Sequence, residues 1–215
     1  CLQIKDDLFD FNTITDVNAS SPFPQFNNEV IMVTLITNTV YYSISTSFAQ
    51  IDSLLYNSYS DNDLRKTAFF KPSNTGYNFK GSYSGTPSKL FIGIATDEVY
   101  LMRAECLARE GNRDDALKDL NKLMETKWKS GLFIPLTANT ASNVLTMILE
   151  ERRKELIFRN LRWMDIKRRN IKGANIILTR LVNGRKYSLP PNDNRYALPL
   201  PLDIIARTGI VQNPK

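Results

Sequence analysis

The 215-residue sequence predicts a mainly α-helical fold: a helix-turn-helix repeat with extra helices packed on it, irregular loops and a small β-hairpin near the C-terminus. Three observations carry this expectation. Two neighbouring amphipathic runs, Thr96 to Glu110 and Arg113 to about Thr126, are separated by Gly111-Asn112, a pair suited to stopping one helix and starting the next. Residues 148 to 169 keep a helical apolar period although charged residues fall on its stripe. Asn183-Gly184 stands between two short runs, the signal of a type I′ hairpin, which needs positive φ at both central positions.

Taken in order, residues 2 to 10 read as the last turns of a helix, with Leu2, Ile4, Leu8 and Phe9 loosely on one side. Asn12 to Asn28 is turn-rich, with Pro22 and Pro24 flanking Phe23, and Glu29 to Thr37 reads as a strand or extended segment. Residues 47 to 57 suit a short amphipathic helix capped by Ser47, Asp61 to Phe69 another capped by Asp61, and Lys71 to Ser88 a loop or hairpin. The composition shifts at Thr96, which separates a loop-rich segment, 1–95, from a helical one, 96–215, within one expected structural domain.

Thr96 is the expected N-cap of the next helix, with Asp97 and Glu98 in its first turn. Ala104, Leu107, Gly111, Ala116 and Leu120 stand at the offsets of a tetratricopeptide-like helical repeat. Such a unit cannot bury both faces alone, and arrays generally need about three, so neighbours or substitutes for them are expected. A third helix covers Ala141 to Arg159 and is broken by Asn160, which tolerates the left-handed conformation. A short fourth helix carries Trp163 and Asp165; after the hairpin, Ile177–Val182 with Arg185–Leu189, four prolines between Pro190 and Pro201 are expected to hold the tail extended.

On a wheel of 100° per residue, Leu145, Ile148, Leu149 and Leu156 form one face, and Arg152 falls in its middle. Burying that guanidinium without a partner costs several kcal/mol, so a carboxylate is expected beside it, with Glu155 and Asp165 as the nearest choices. Arg152, Glu155 and Asp165 are therefore expected to form a structural ion-pair clamp. A catalytic reading of the three lacks a nucleophile or a Gly-rich loop.

The chain has no histidine and two cysteines, Cys1 and Cys106, which removes Ser-His-Asp triads, Cys-His dyads and most metal-site patterns. Cys106 falls in a helical pattern, where a buried thiol serves as a small apolar filler. The net charge of +6 is uneven: residues 1–90 hold 6 Lys/Arg and 8 Asp/Glu, residues 91–215 hold 22 and 14. Lys167, Arg168, Arg169 and Lys172 are the densest cluster, yet no aromatic interleaving accompanies them, so a solvated helix end is expected and nucleic acid is not. The longest apolar run, Val30 to Ile36, is interrupted by Thr34 and far too short to span a bilayer.

Several separated motifs resemble the C-terminal half of the SusD-like (RagB/SusD) family of surface nutrient-binding lipoproteins. They are Asp97 to Glu105 (DEVYLMRAE), Ile148 to Leu156 (ILEERRKEL), Leu161 to Asp165 (LRWMD), the pair Leu198-Pro199-Leu200-Pro201, and Gln212-Asn213-Pro214. Tyr59 to Arg65 and Phe79 to Tyr83 also fit. Family members have roughly twice this length, and the half that precedes these motifs carries most of the repeat array. Their lipidated cysteine precedes a flexible linker, whereas Cys1 runs into a helical pattern; Cys1 is thus expected to be an internal residue, with the lipid tether implied for the parent protein.

The resemblance implies non-catalytic capture of a glycan at the outer-membrane surface and delivery to a SusC-like TonB-dependent transporter, with no cofactor. Peptide capture, or a scaffold gripping a protein partner, are the alternatives. Aromatic rings beside amides and hydroxyls suit sugars, and two stretches offer them: Thr39 to Asp61 and Ser73 to Ser88. Tyr41 and Tyr42 are the first choices as ligand residues and Tyr77 the next. Asp61-Asn62-Asp63 lacks the downstream Gly and Glu of a calcium loop, and no paired carboxylates mark a glycosidase.

Overall fold

The computed structural model describes residues 1–37 and 48–214. The chain divides into two compact units, Cys1–Asn160 and Leu161–Lys215. The composition shift near Thr96 does not divide it, because the loop-rich segment shares a core with residues that follow α5 (Ala141–Glu155).

In the first unit, the helices α3 (Thr96–Arg109) and α4 (Arg113–Glu125) are joined at Gly111, which takes φ +87°. Ala104, Ala116 and Leu120 are buried, and α3 packs against both α4 and α5. Two short helices precede them, α1 (Ser53–Asn57) and α2 (Arg65–Ala68). Three antiparallel ribbons belong to the same unit: β1 (Val30–Met32) with β6 (Ile94–Ala95), β2 (Leu35–Thr37) with β5 (Lys89–Phe91), and β3 (Phe70–Ser73) with β4 (Gly76–Phe79). The core is aromatic. Phe11, Phe23, Phe69, Phe79, Tyr83 and Phe91 are all buried, and Phe23 lies 4.9 Å from both the Phe11 and Tyr83 rings.

The second unit holds α6 (Arg162–Ile171), the hairpin β7 (Leu178–Val182) with β8 (Arg185–Leu189), and α7 (Leu202–Thr208). Asn183 and Gly184 both take positive φ, and Val182 pairs with Arg185, as the two-residue turn requires. Trp163 packs on Tyr196 with ring centroids 4.8 Å apart.

Several expectations are corrected. Of the described residues, 36% are helical and 16% lie in strands, so the fold mixes helices with four two-stranded ribbons and is less helical than expected. Residues 2–10 form a turn and an extended segment, because Phe9 and Phe11 are drawn into the aromatic core and Asp10 caps a 3-10 turn at Phe11–Thr13 instead. Asp52 caps α1, while Ser47 lies outside the described residues. Asp61 caps nothing: it pairs with Lys66, and α2 is one turn long.

Thr96 sits inside α3, preceded by Ala95 at the cap position, and its hydroxyl donates to the Asp7 carbonyl. Helix α5 ends at Glu155, four residues early, because Phe158 turns to φ 58° and stacks its ring on Phe79 at 4.8 Å. Cys106 is exposed, not a filler. In the tail, Pro201 precedes a helix, a position where its missing N–H and fixed φ cost nothing, and Gly209 at φ +70° ends it.

Gly93, between β5 and β6, marks a close backbone approach in the first unit. A Cβ there would lie 2.0 Å from the Met32 carbonyl oxygen and 2.8 Å from the Thr34 nitrogen, backbone atoms that cannot swing away. Gly93→Ala is expected to cost about 1–3 kcal/mol by overpacking, read as a lower denaturation midpoint; an unchanged midpoint would show that the β1–β6 ribbon gives way freely.

Candidate functional site

Two features of the first unit invite a functional reading, a buried ion cluster and a polar groove. The cluster centres on Arg65, whose guanidinium is 0% exposed. Its Nε and Nη2 donate to Asp63 at 3.0 and 2.7 Å, Nη2 also to Glu151 at 2.6 Å, and Nη1 to Glu155 at 2.9 Å. Burial penalises the charge, but the fields of Asp63, Glu151 and Glu155 more than offset it and hold the Arg65 pKa well above its ordinary value.

A second buried cation extends the cluster. Lys127 donates to Glu29 at 2.6 Å, lies 3.6 Å from Glu155, and sits over the Phe11 ring at 4.2 Å. Tyr83 donates its hydroxyl to Glu29 at 2.7 Å. Arg159 donates to Asp97 at 2.8 Å, with its guanidinium over the Tyr83 and Phe91 rings at 4.6 Å each. Arg152 is buried as the wheel requires, and its Nη2 lies 3.5 Å from Glu98.

Each of the three expected clamp residues is engaged by a group of opposite charge. Glu155 serves Arg65 and Lys127, Arg152 faces Glu98, and Asp165 accepts from Arg168 at 2.8 Å in the second unit. Sequence reasoning missed Arg65 as the centre, because α2 is too short to show an apolar stripe on which a charge would stand out. Asp63, in the segment compared with a calcium loop, gives both carboxylate oxygens to Arg65.

The groove lies on the outer face of the β3–β4 ribbon. The register pairs Phe70 with Phe79 and Pro72 with Tyr77 on one face, Lys71 with Asn78 and Ser73 with Gly76 on the other. A concave surface of about 520 Å³ is lined by Phe48, Gln50, Ser73, Asn74, Thr75 and Asn78, with Lys71 beside them. Phe48 is exposed, the Gln50 amide donates to the Thr75 hydroxyl, and the Ser73 hydroxyl is buried without a hydrogen-bond partner.

Tyr77 is half-buried on the core-facing side, stacked on Tyr56 with centroids 3.6 Å apart and planes at 14°. Burial, then the hydrogen bond and charge of Tyr77, push the Tyr56 phenol up to about 12. Tyr41 and Tyr42 lie outside the described residues. Sequence reasoning passed over Gln50, Asn74 and Thr75; period-two alternation from Lys71 to Ser73 and Tyr77 to Phe79 separates groove from core and could have found the face. Among the described residues no group of three or more Cys, Asp or Glu side chains could hold a metal ion.

The model of the SusD family matches residues 36–215. The chain belongs to the SusD family. Solved structures of this fold include a SusD-like carbohydrate binding protein from Bacteroides vulgatus, 15% identical with a TM-score of 0.63, the match covering 97% of this chain and 52% of that one. A SusD superfamily protein from Parabacteroides distasonis is 14% identical with a TM-score of 0.67, over 99% and 54%. One from Bacteroides fragilis is 16% identical with a TM-score of 0.63, over 98% and 55%. This SusD-family chain therefore spans about half the length of each. No curated protein matches it.

The cluster gives a pH dependence. Burial, reinforced by Asp97 and Glu155 and opposed by Lys127, pushes the Glu29 carboxyl up to about 7. A carboxyl raised on folding contributes stability that is fully present below its unfolded pKa and lost as pH rises through the folded one. The protein is therefore expected to lose on the order of 1–3 kcal/mol from this group between about pH 4.5 and 7.5. Denaturation of Glu29→Gln across that range is expected to show a flatter slope, whatever its absolute stability; an unchanged slope would place the titration elsewhere.

Proposed function

We propose that the protein of which this chain is part captures a glycan at the outer-membrane surface, without cleaving it, and passes it to a partner TonB-dependent transporter. The observation that carries the reading is the groove on the β3–β4 ribbon in a chain of the SusD family. It sets an exposed phenyl ring beside three amides, hydroxyls and an ammonium. A pyranose presents C–H on one side and hydroxyls around its rim, so Phe48 would take the apolar side while Gln50, Asn74 and Thr75 would meet the hydroxyls. The Bacteroides vulgatus relative, a SusD-like carbohydrate binding protein, supports the ligand class. Tyr41 and Tyr42, which precede Phe48 closely in the chain, are proposed as further ligand contacts.

The buried ion cluster supports the non-catalytic half of the reading. Arg65, Lys127, Glu29 and Asp97 are fully buried and paired with one another or with neighbouring side chains, out of a substrate's reach. Surface attachment would come from a lipid anchor on the parent protein, and the transporter would bind a large face of it.

Titration of an oligosaccharide panel against the full-length protein tests this. Phe48→Ala with Asn74→Ala, and separately Tyr41→Ala with Tyr42→Ala, are each expected to weaken binding about tenfold or more, the scale of a lost stacking contact and hydrogen bond. Capture of peptides with no glycan bound, or turnover of any glycan, would overturn the reading.

A further inference from the structure

The charge surplus of the whole chain belongs to the second unit. Residues 161–215 hold 11 Lys/Arg against 3 Asp/Glu. Between Asp165 and Asp193 there is no carboxylate at all, while Lys167, Arg168, Arg169, Lys172, Arg180, Arg185 and Lys186 fall there. The β7–β8 hairpin lies in that stretch. Only Leu178 and Leu189 at its base are partly buried, and both faces of the remainder meet solvent.

The register sorts the exposed side chains. Arg180 pairs with Tyr187 and Val182 with Arg185 on one face; Leu181 pairs with Lys186 on the other. Leu181 is 71% exposed, Val182 44% and Tyr187 50%, and the Arg185 guanidinium lies 5.4 Å from the Tyr187 ring centroid. Cations on the edges of a lone ribbon guard against strand-to-strand aggregation, which would account for Arg180, Arg185 and Lys186. That purpose is defeated by leaving Leu181, Val182 and Tyr187 exposed beside them. A two-stranded hairpin is also marginal in water without something to cover it.

We propose that this hairpin is a membrane-docking element: its tip enters the headgroup layer of an anionic lipid surface, while Arg180, Arg185 and Lys186 meet the lipid phosphates. A protein groove would cover one face. Here the apolar side chains at the tip lie on both faces, Val182 on one and Leu181 on the other, which suits immersion in a medium that surrounds the ribbon. Charge complementarity selects the anionic surface, and Tyr187, one pair further from the turn, is the residue type that sits at a membrane–water interface. This contact would add to a lipid anchor, and it rests on the surface location proposed above.

Flotation of the protein with lipid vesicles, in the absence of glycan, tests it. The vesicles are phosphatidylcholine alone, or phosphatidylcholine with about 30% phosphatidylglycerol. Wild type is expected to float only with the anionic vesicles and to be released when salt is raised from about 0.05 to 0.5 M. Exchanging Arg180, Arg185 and Lys186 for Gln is expected to weaken binding by on the order of a hundredfold, and Leu181→Ser with Val182→Ser about tenfold. Glycan binding by the same variants is expected to stay unchanged, so that failure of glycan capture and failure of docking are read separately. No flotation with anionic vesicles, equal flotation with both kinds, or flotation untouched by either set of substitutions would overturn the proposal. Retention on immobilised polyglutamate without vesicle binding would also overturn it, in favour of an acidic protein partner.

Discussion

Arg65 joins what the sequence leaves apart. It lies in a four-residue helix of the loop-rich segment, and its guanidinium reaches Glu151 and Glu155 on α5 while holding Asp63 beside it. Because a buried cation without partners is prohibitively costly, the two carboxylates on α5 and the chain around Asp63 are constrained to one relative placement. Lys127 adds to the same constraint at the end of α4, bridging Glu29 and Glu155. An aromatic core this rich in rings could be packed in several ways at similar cost, whereas an ion cluster with directional hydrogen bonds accepts few.

The groove depends on that constraint. The β3–β4 ribbon follows α2 directly, and its inner face carries Phe70 and Phe79 into the aromatic core. With that face fixed, Lys71, Ser73 and Asn78 are left on the other, where Gln50 pairs with Asn78 across an isolated bridge. The cluster and the groove are thus two consequences of one short stretch of chain, one on each side of it.

How much of this the sequence showed depended on the length of each element. Helices α3, α4 and α5 and the β7–β8 hairpin were legible, because their periodicity, caps and Asn-Gly turn are local signals. Ribbons of two to four residues have no readable period, and their partners lie far along the chain, as β1 with β6 and β2 with β5 show. The wheel was right that Arg152 is buried, and Glu98 on α3, which the sequence did not single out, faces it across a helix pair. Tyr77 looked like a ligand residue by composition; in the structure its ring is stacked on Tyr56, while the less conspicuous Asn74 and Thr75 line the groove. Family membership was legible because the long-helix motifs that carry it double as the scaffold around the ion cluster.

Arg65 is expected to make one cooperative body of the loop-rich segment and the three long helices. Native-state hydrogen exchange of wild type and Arg65→Met measures this directly. The slowest amides of β4, α3 and α5 are expected to share one opening free energy, and the substitution to lower all of them together by about 3–5 kcal/mol, the cost of leaving buried carboxylates unpaired. A loss confined to α2 and its neighbours, with α3 and α5 protected as before, would contradict it.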